Sequence, residues 1–359
     1  MDDLQLARSR AALARLSEDK PEESGDLKRF ETRRDHKDSM LRHGVLMSEA
    51  VTPILEKRLV DVCERLKTPR SSVTAFIFNS ADVQADCLID TPNSCVLRIS
   101  SGLVNLMDEH EFKFVIGHEL GHFLLNHGVG AHFVEEDSPE NYITQREREL
   151  SVDRIGYLAV GSLNESIQAI IKTASGLSEK LLRFDVTSFL SQADMISDPA
   201  KGEAYNSTHP SMLIRCRSLL WFSMSIDSFD QLTEENRPAL AKINQRVIND
   251  LTKFVDGRVR LRRKQLELDV ALWKTALLLY HSGSFSKDIQ ERVEKHLGFE
   301  TLSGMKSFFD LYSKSELLSE ITKRLDKSLA TIRHEFPKSL ADIEDSGFET
   351  AYLIMKNER

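Results

Sequence analysis

The chain has 359 residues, long enough for about two domains at roughly 150 residues each. Its 41% hydrophobic and 29% charged residues are the proportions of a folded globular protein. A formal net charge of -8 argues against general affinity for nucleic acid or anionic membrane, both of which need a basic surface.

Cys63, Cys87, Cys95 and Cys216 show no CxxC spacing, so neither a zinc ribbon nor a redox dithiol is indicated. No apolar signal core follows "MDDLQLARSR", and no run reaches the roughly 20 apolar residues that a membrane span needs. These features predict a cytoplasmic protein with reduced thiols and no membrane span.

In chain order, residues 3–16 space their apolar side chains as a short helix, and the polar stretch 17–38 reads as a flexible arm. A helix over 47–66 follows. The runs "SVTAFIFNS", "DCLID" and "CVLRIS" are rich in β-branched and aromatic residues and broken by turn formers, which predicts three strands in a small antiparallel sheet. "SGLVNLM" then starts a helix, and "DEHEFKFVIGHELGHFLLNH" forms a longer one with Asp108 as cap and Glu111 as its capping-box partner. A polar loop over 128–142, a helix over 143–161, another in "NESIQAIIKTASGL", the loop "SDPAKGEAYNSTHPS" and the helix "MLIRCRSLLWFS" come next. From residue 231 the pattern is helical, with breaks near Ser282–Ser284, Gly298 and Pro337. The basic run "RVRLRRK" at 258–264 reads as a solvated helix face. The domains so predicted are an N-terminal helix and arm (1–44), a catalytic domain (45–230) and a helical C-terminal domain (231–359).

The chemistry concentrates in "VIGHELGHFLLNH". Four residues advance an α-helix by about 400°, so His118 and His122 project from one face, one turn apart. Two imidazoles so placed suit a Zn²⁺ ion. Glu119 lies beside that face, where it can take a proton from water activated at the metal, the general-base role of the HExxH pattern. Gly117 and Gly121 each cost the helix about 1 kcal/mol relative to Ala, so packing or function must compensate; a glycine at such a site lets another element approach the metal closely.

A third protein ligand is needed, with a fourth position left open. "ELSVDRIG", 27 residues after His122, offers Glu149 and Asp153 on one helix face. Glu149 would complete a His₂Glu site, and Asp153 would accept the ring N–H of a ligand histidine. His127, five residues past His122, would point about 140° away on a continued helix, His132 falls in the expected loop, and His36, His43 and His110 have no spaced partners.

These two motifs resemble the HExxH and ExxAD pair of the gluzincin family that contains the HtpX-like heat-shock proteases and the CAAX prenyl proteases. The likeness runs over about residues 45–225, with Val152 in place of the usual alanine. It implies a mostly helical α+β, zincin-like metalloprotease core, with "SCVLRIS" as an edge strand that aligns an extended peptide. "HPSMLIR" resembles the family's His-Pro element, which implies that His209 faces the zinc, steadying an oxyanion or capping the metal, and that Arg215 braces the cleft. The implied activity is zinc-dependent cleavage of polypeptides. Membrane members of the family carry spanning helices that this sequence lacks, so their substrates do not transfer.

The C-terminal third weakly resembles tellurite-resistance-B-like domains, but "HSGSFS" replaces their acidic turn and no metal is expected there. A helical module that docks a protein partner or covers the cleft of the protease is the expectation. Two rival readings keep the same motif residues: a catalytically silent scaffold, and a latent protease whose zinc is blocked by His209 or the arm until a partner arrives.

Overall fold

The three expected strands form, and a fourth joins them. In the computed structural model, which describes residues 2–17, 37–127, 138–182, 185–195, 209–225 and 237–356, β1 is Val45–Leu46, β2 Val73–Phe78, β3 Ala85–Thr91 and β4 Ser94–Ser100. Most of the expected arm over 17–38 and of the loops over 128–142 and 197–211 lies outside the described residues, as do His36 and His132. The sheet order is β1-β2-β4-β3.

The sheet is mixed, which corrects the antiparallel expectation. The hairpin of β3 and β4 is antiparallel, but it docks through β4, which runs parallel to β2 with Val73 opposite Cys95 and Phe78 opposite Ser100. A link of six residues between β2 and β3 thus carries the chain past the position that β4 later fills. A second correction follows: "SCVLRIS" is hydrogen-bonded on both sides, and the edge strands are β1 and, next to β4, β3. A bidentate pair between Arg98 and Asp86 at 2.8 Å ties β4 to that edge.

By its contacts the chain divides into two units, Met1–Phe133 with Ile143–Val255, and Val134–Tyr142 with Asp256–Arg359. Within the first, the N-terminal helix α1 (Asp3–Ala12) packs Leu4, Ala7 and Ala11 into the main core. Helix α2 (Pro53–Arg65) adds Leu59, Val62 and Cys63. Ser100 caps the short helix α3 (Ser101–Leu106) through the Leu103 amide, and α4 (Glu109–Leu124) follows directly.

Helix α4 starts with the expected capping box, Asp108 accepting from the Glu111 amide and Glu111 from the Asp108 amide, each at 2.8 Å. Glu111 is fully buried, and Lys172, on α6 (Leu163–Ser175), sets its ammonium 2.7 Å from that carboxylate. Phe112, Val115, Ile116, Leu120 and Phe123 bury the rest of the helix. It also lies against β3.

Helix α5 (Pro139–Val160) begins four residues earlier than the expected 143. The amide of Asn141 donates to Ser138 Oγ at 3.2 Å, and Ser-Pro-Glu is a good helix entry. Gly117 and Gly121 of α4 face this helix: a Cβ on Gly117 would stand 2.5 Å from Ala159 Cβ, and one on Gly121 3.0 Å from Val152 Cβ. The glycines therefore let α5 close on the histidine-bearing helix. Further on, α7 (Met212–Ser223) and α8 (Arg237–Leu251) complete the unit, the buried Arg154 of α5 donating to Asn244 Oδ1 at 2.8 Å and to the Ala14 carbonyl at 3.2 Å.

The second unit contains α9 (Gly257–Ser282), α10 (Lys287–Leu297), α11 (Phe299–Leu311), α12 (Lys314–Glu335) and α13 (Leu340–Met355). Its core includes Leu279, Val293, Leu302, Ile321 and Ile354. The breaks expected near Ser282–Ser284, Gly298 and Pro337 are present, Gly283 and Gly298 with φ of +66° and +92°. A further break at Tyr312–Ser313 separates α11 from α12. The basic run lies on α9, where Arg262 is bidentate to Glu335 at 2.9 Å and Lys264 meets Glu267 at 3.1 Å. Among the described residues no helix is long and apolar enough to cross a membrane.

Candidate metal centre

One turn of α4 and one turn of α5 converge. His118 and His122 aim Nε2 at the two oxygens of Glu149, at 3.4 and 3.5 Å, and ligand atoms of these three residues lie within 4.8 Å of one another. No other such group of metal-binding side chains occurs among the described residues. Two imidazole nitrogens and a carboxylate oxygen are the donor set of a catalytic zinc site. Among the described residues the buried Glu149 Oε2 is approached only at long range, by Nε2 of His118 at 3.4 Å and of His209 at 3.6 Å, which suits an oxygen whose partner is a cation.

Behind His118, Asp153 Oδ1 sits 2.9 Å from Nδ1. Arg215 of α7 grips the same carboxylate, Nε to Oδ2 at 2.8 Å and Nη2 to Oδ1 at 2.6 Å. His209, two residues before the Ser211 cap of α7, brings Nε2 to 3.6 Å from Glu149 Oε2 while its side chain is 65% exposed. His118, His122, Glu149, Asp153, Arg215 and His209 are thus brought together, and Glu119 is buried on the helix that carries the two histidines.

The electrostatics separate the two histidines. Burial opposes a charge on His118, but the Asp153 and Glu149 carboxylates outweigh it and push its pKa up to about 10. Burial dominates at His122 and lowers it to about 4. Glu149 and Asp153 are both held below the ordinary carboxylate range: burial works against that, and the histidines outweigh it for Glu149, Arg215 and His118 for Asp153. Glu119 moves the other way. Burial, with the charges of Glu149 and Asp86 nearby, raises it to about 7. A carboxyl poised there can take a proton and return it near neutral pH.

The sequence reading missed two participants. Asp86 belongs to β3, the strand that borders α4, and its charge bears on Glu119. His127 does not point away: its Nδ1 lies 3.3 Å from His122 Nδ1. The helical projection fails because α4 ends at Leu124 and Asn126 takes a left-handed φ of +61°, turning the chain back. Asn before His was the available signal, since Asn is the non-glycine residue that best tolerates that conformation. Burial, with His122, Arg148 and Arg15 nearby, holds His127 well below its ordinary pKa.

Comparisons with known proteins meet this geometry. Residues 52–136 match the model of Peptidase family M48, a span that includes His118, Glu119 and His122 and stops before Glu149. Metalloprotease YcaL of Escherichia coli (strain K12) is 29% identical over 119 residues, covering 30% of this chain. The chain spans 44% of the length of that curated relative. No solved structure gives a significant match. The mostly helical fold with its small mixed sheet is consistent with an M48 core, and the family is one of metallopeptidases. Over these residues the chain is similar to Peptidase family M48 and to a metalloprotease, in keeping with the HtpX-like resemblance read from its motifs.

Proposed function

We propose that the chain is a zinc-dependent metalloendopeptidase in which His118, His122 and Glu149 hold the ion and Glu119 is the general base. The observation that carries this reading is the convergence of both Nε2 atoms on the two oxygens of one buried carboxylate. The Lewis acidity that polarises a peptide carbonyl and acidifies water would come from the ion.

The remaining work falls to the protein. Glu119 takes the proton of the attacking water and hands it to the leaving amine; burial, which raises its pKa in the metal-free chain, makes the carboxylate a stronger base for the first transfer. Asp153 holds His118 in the tautomer whose Nε2 faces Glu149, and Arg215 keeps Asp153 ionised. His209, solvent-exposed beside Glu149, is placed to donate to an oxygen that gains charge as the carbonyl is attacked. The β3 edge, not β4, offers backbone groups to an extended peptide, a mode of binding that asks little of the peptide's side chains.

Metal analysis of purified protein, paired with a chelator-sensitive cleavage assay on unfolded protein substrates, tests the proposal. One zinc per chain and cleavage that stops in Glu119→Gln support it. Cleavage that survives complete metal removal refutes it. A latent enzyme is a second reading, supported by the 3.6 Å approach of His209 to Glu149. It predicts that His209→Ala raises activity, whereas an oxyanion role predicts a fall.

A further inference from the structure

Each imidazole of the candidate centre turns Nε2 toward Glu149 and so leaves Nδ1 facing away. For His118 the outward nitrogen is met by Asp153 at 2.9 Å. Among the described residues no carboxylate plays that part for His122. Its Nδ1 is met instead by Nδ1 of His127, at 3.3 Å, with the two rings nearly perpendicular at 72° and their centroids 5.3 Å apart.

The backbone builds this contact. The Leu125 amide closes the last helical turn on the Gly121 carbonyl at 2.9 Å, and the Asn126 amide reaches the Phe123 carbonyl at 3.2 Å. With Asn126 left-handed, the His127 amide returns to the His122 carbonyl at 2.9 Å, the six-to-one bond that ends many helices. From outside, Arg15 Nη2 donates to the Leu125 carbonyl at 3.0 Å and fixes the reversal. His127 is consequently buried, its ring laid against the ligand it follows by five residues.

We propose that His127 is a positioning residue for His122: its Nδ1 accepts the Nδ1–H of His122 and fixes the tautomer whose Nε2 lone pair faces the metal. A neutral imidazole carries one donor and one acceptor nitrogen, so the pair is complementary when His122 donates outward. The centre then has two unlike supports, a charged one through Asp153 for His118 and a neutral one through His127 for His122. This inference rests on the zinc reading above.

The test compares His127→Asn, whose amide oxygen can stand where Nδ1 does, with His127→Phe, which fills the space without an acceptor. Zinc affinity is measured by competition with a chromophoric chelator, and thermal midpoints with excess chelator report folding independently of metal. The expected result is a loss of about 10- to 100-fold in zinc affinity for the Phe variant. The Asn variant should stay within about threefold of the parent, since it restores the acceptor. His127→Leu serves as a second acceptor-free side chain should the Phe variant not fold. Parent-like affinity in the acceptor-free variants, or equal weakening in Asn and Phe, overturns the role of His127 while leaving the metal centre intact. A parent protein that binds no zinc overturns the metal centre, and this inference with it.

Discussion

Arg215 holds both oxygens of Asp153, at 2.8 and 2.6 Å, and Asp153 in turn holds His118. A buried carboxylate shared this way is an anchor for a ligand and the counter-charge of a cation at once. Asp153→Asn should therefore lower zinc affinity about 10- to 100-fold. It should also cost roughly 3–5 kcal/mol of stability, because Arg215 stays buried without its partner. The pH dependence carries a sign. Asp153 is depressed in the folded state, so its contribution is full above the ordinary carboxylate range and is lost as pH falls through its folded value. Denaturation in chelator from pH 6 to pH 3 should show a steeper loss in the parent than in the variant.

Glu119→Gln separates catalysis from folding. Cleavage should drop by about 10²- to 10⁴-fold, the usual worth of a general base, with zinc retained. The carboxyl titrates near 7 in the folded chain and near about 4.3 when unfolded, so the unfolded state loses its proton first as pH rises. Folding is penalised progressively across that interval. Measured with chelator present, the Gln variant should match the parent at pH 4 and exceed it by about 1–3 kcal/mol at pH 8.

Gly117 sets the spacing of the two helices that carry His118, His122 and Glu149. Gly117→Ala improves intrinsic helix propensity by about 1 kcal/mol but places a methyl 2.5 Å from Ala159 Cβ. The helices must separate, drawing Glu149 away from the histidines. Lower thermal stability and zinc affinity reduced at least about 10-fold are the expected outcomes, scored by calorimetry and chelator competition. Gly304→Ala in α11 is the matched control: a Cβ there meets nothing within 4 Å, so a gain of about 0.5–1 kcal/mol is expected.

Lys172→Met leaves Glu111 buried with no cation. Chemical denaturation should report a loss of roughly 3–5 kcal/mol. The double change Lys172→Met with Glu111→Gln should recover part of it, since the capping bond to the Asp108 amide survives in Gln and no charge is stranded.

What could be read in the chain follows the range of the forces involved. His118 with His122 and Glu149 with Asp153 are each four apart, and helix geometry alone puts each pair on one face. The Asp108–Glu111 box and the breaks at Gly283 and Gly298 are local backbone chemistry, and they were legible for that reason. The sheet order was not, because nothing within "SCVLRIS" records that β2 will claim its free side. The Glu111–Lys172 pair, 61 residues apart, leaves no mark in either neighbourhood. His127 was misplaced by a narrower fault: the helix was projected past its end, although Asn126 was the residue to stop it. The start of α5 was similarly overrun, with Ser138 and Pro139 as the overlooked signals.

His118, Glu119 and Glu149 are enclosed by packed helices, whereas His209 reaches Glu149 from the solvent side on a largely exposed side chain. Among the described residues, His209 is therefore the group at the centre whose replacement should leave the packed core in place, since a largely exposed side chain contributes little to folding.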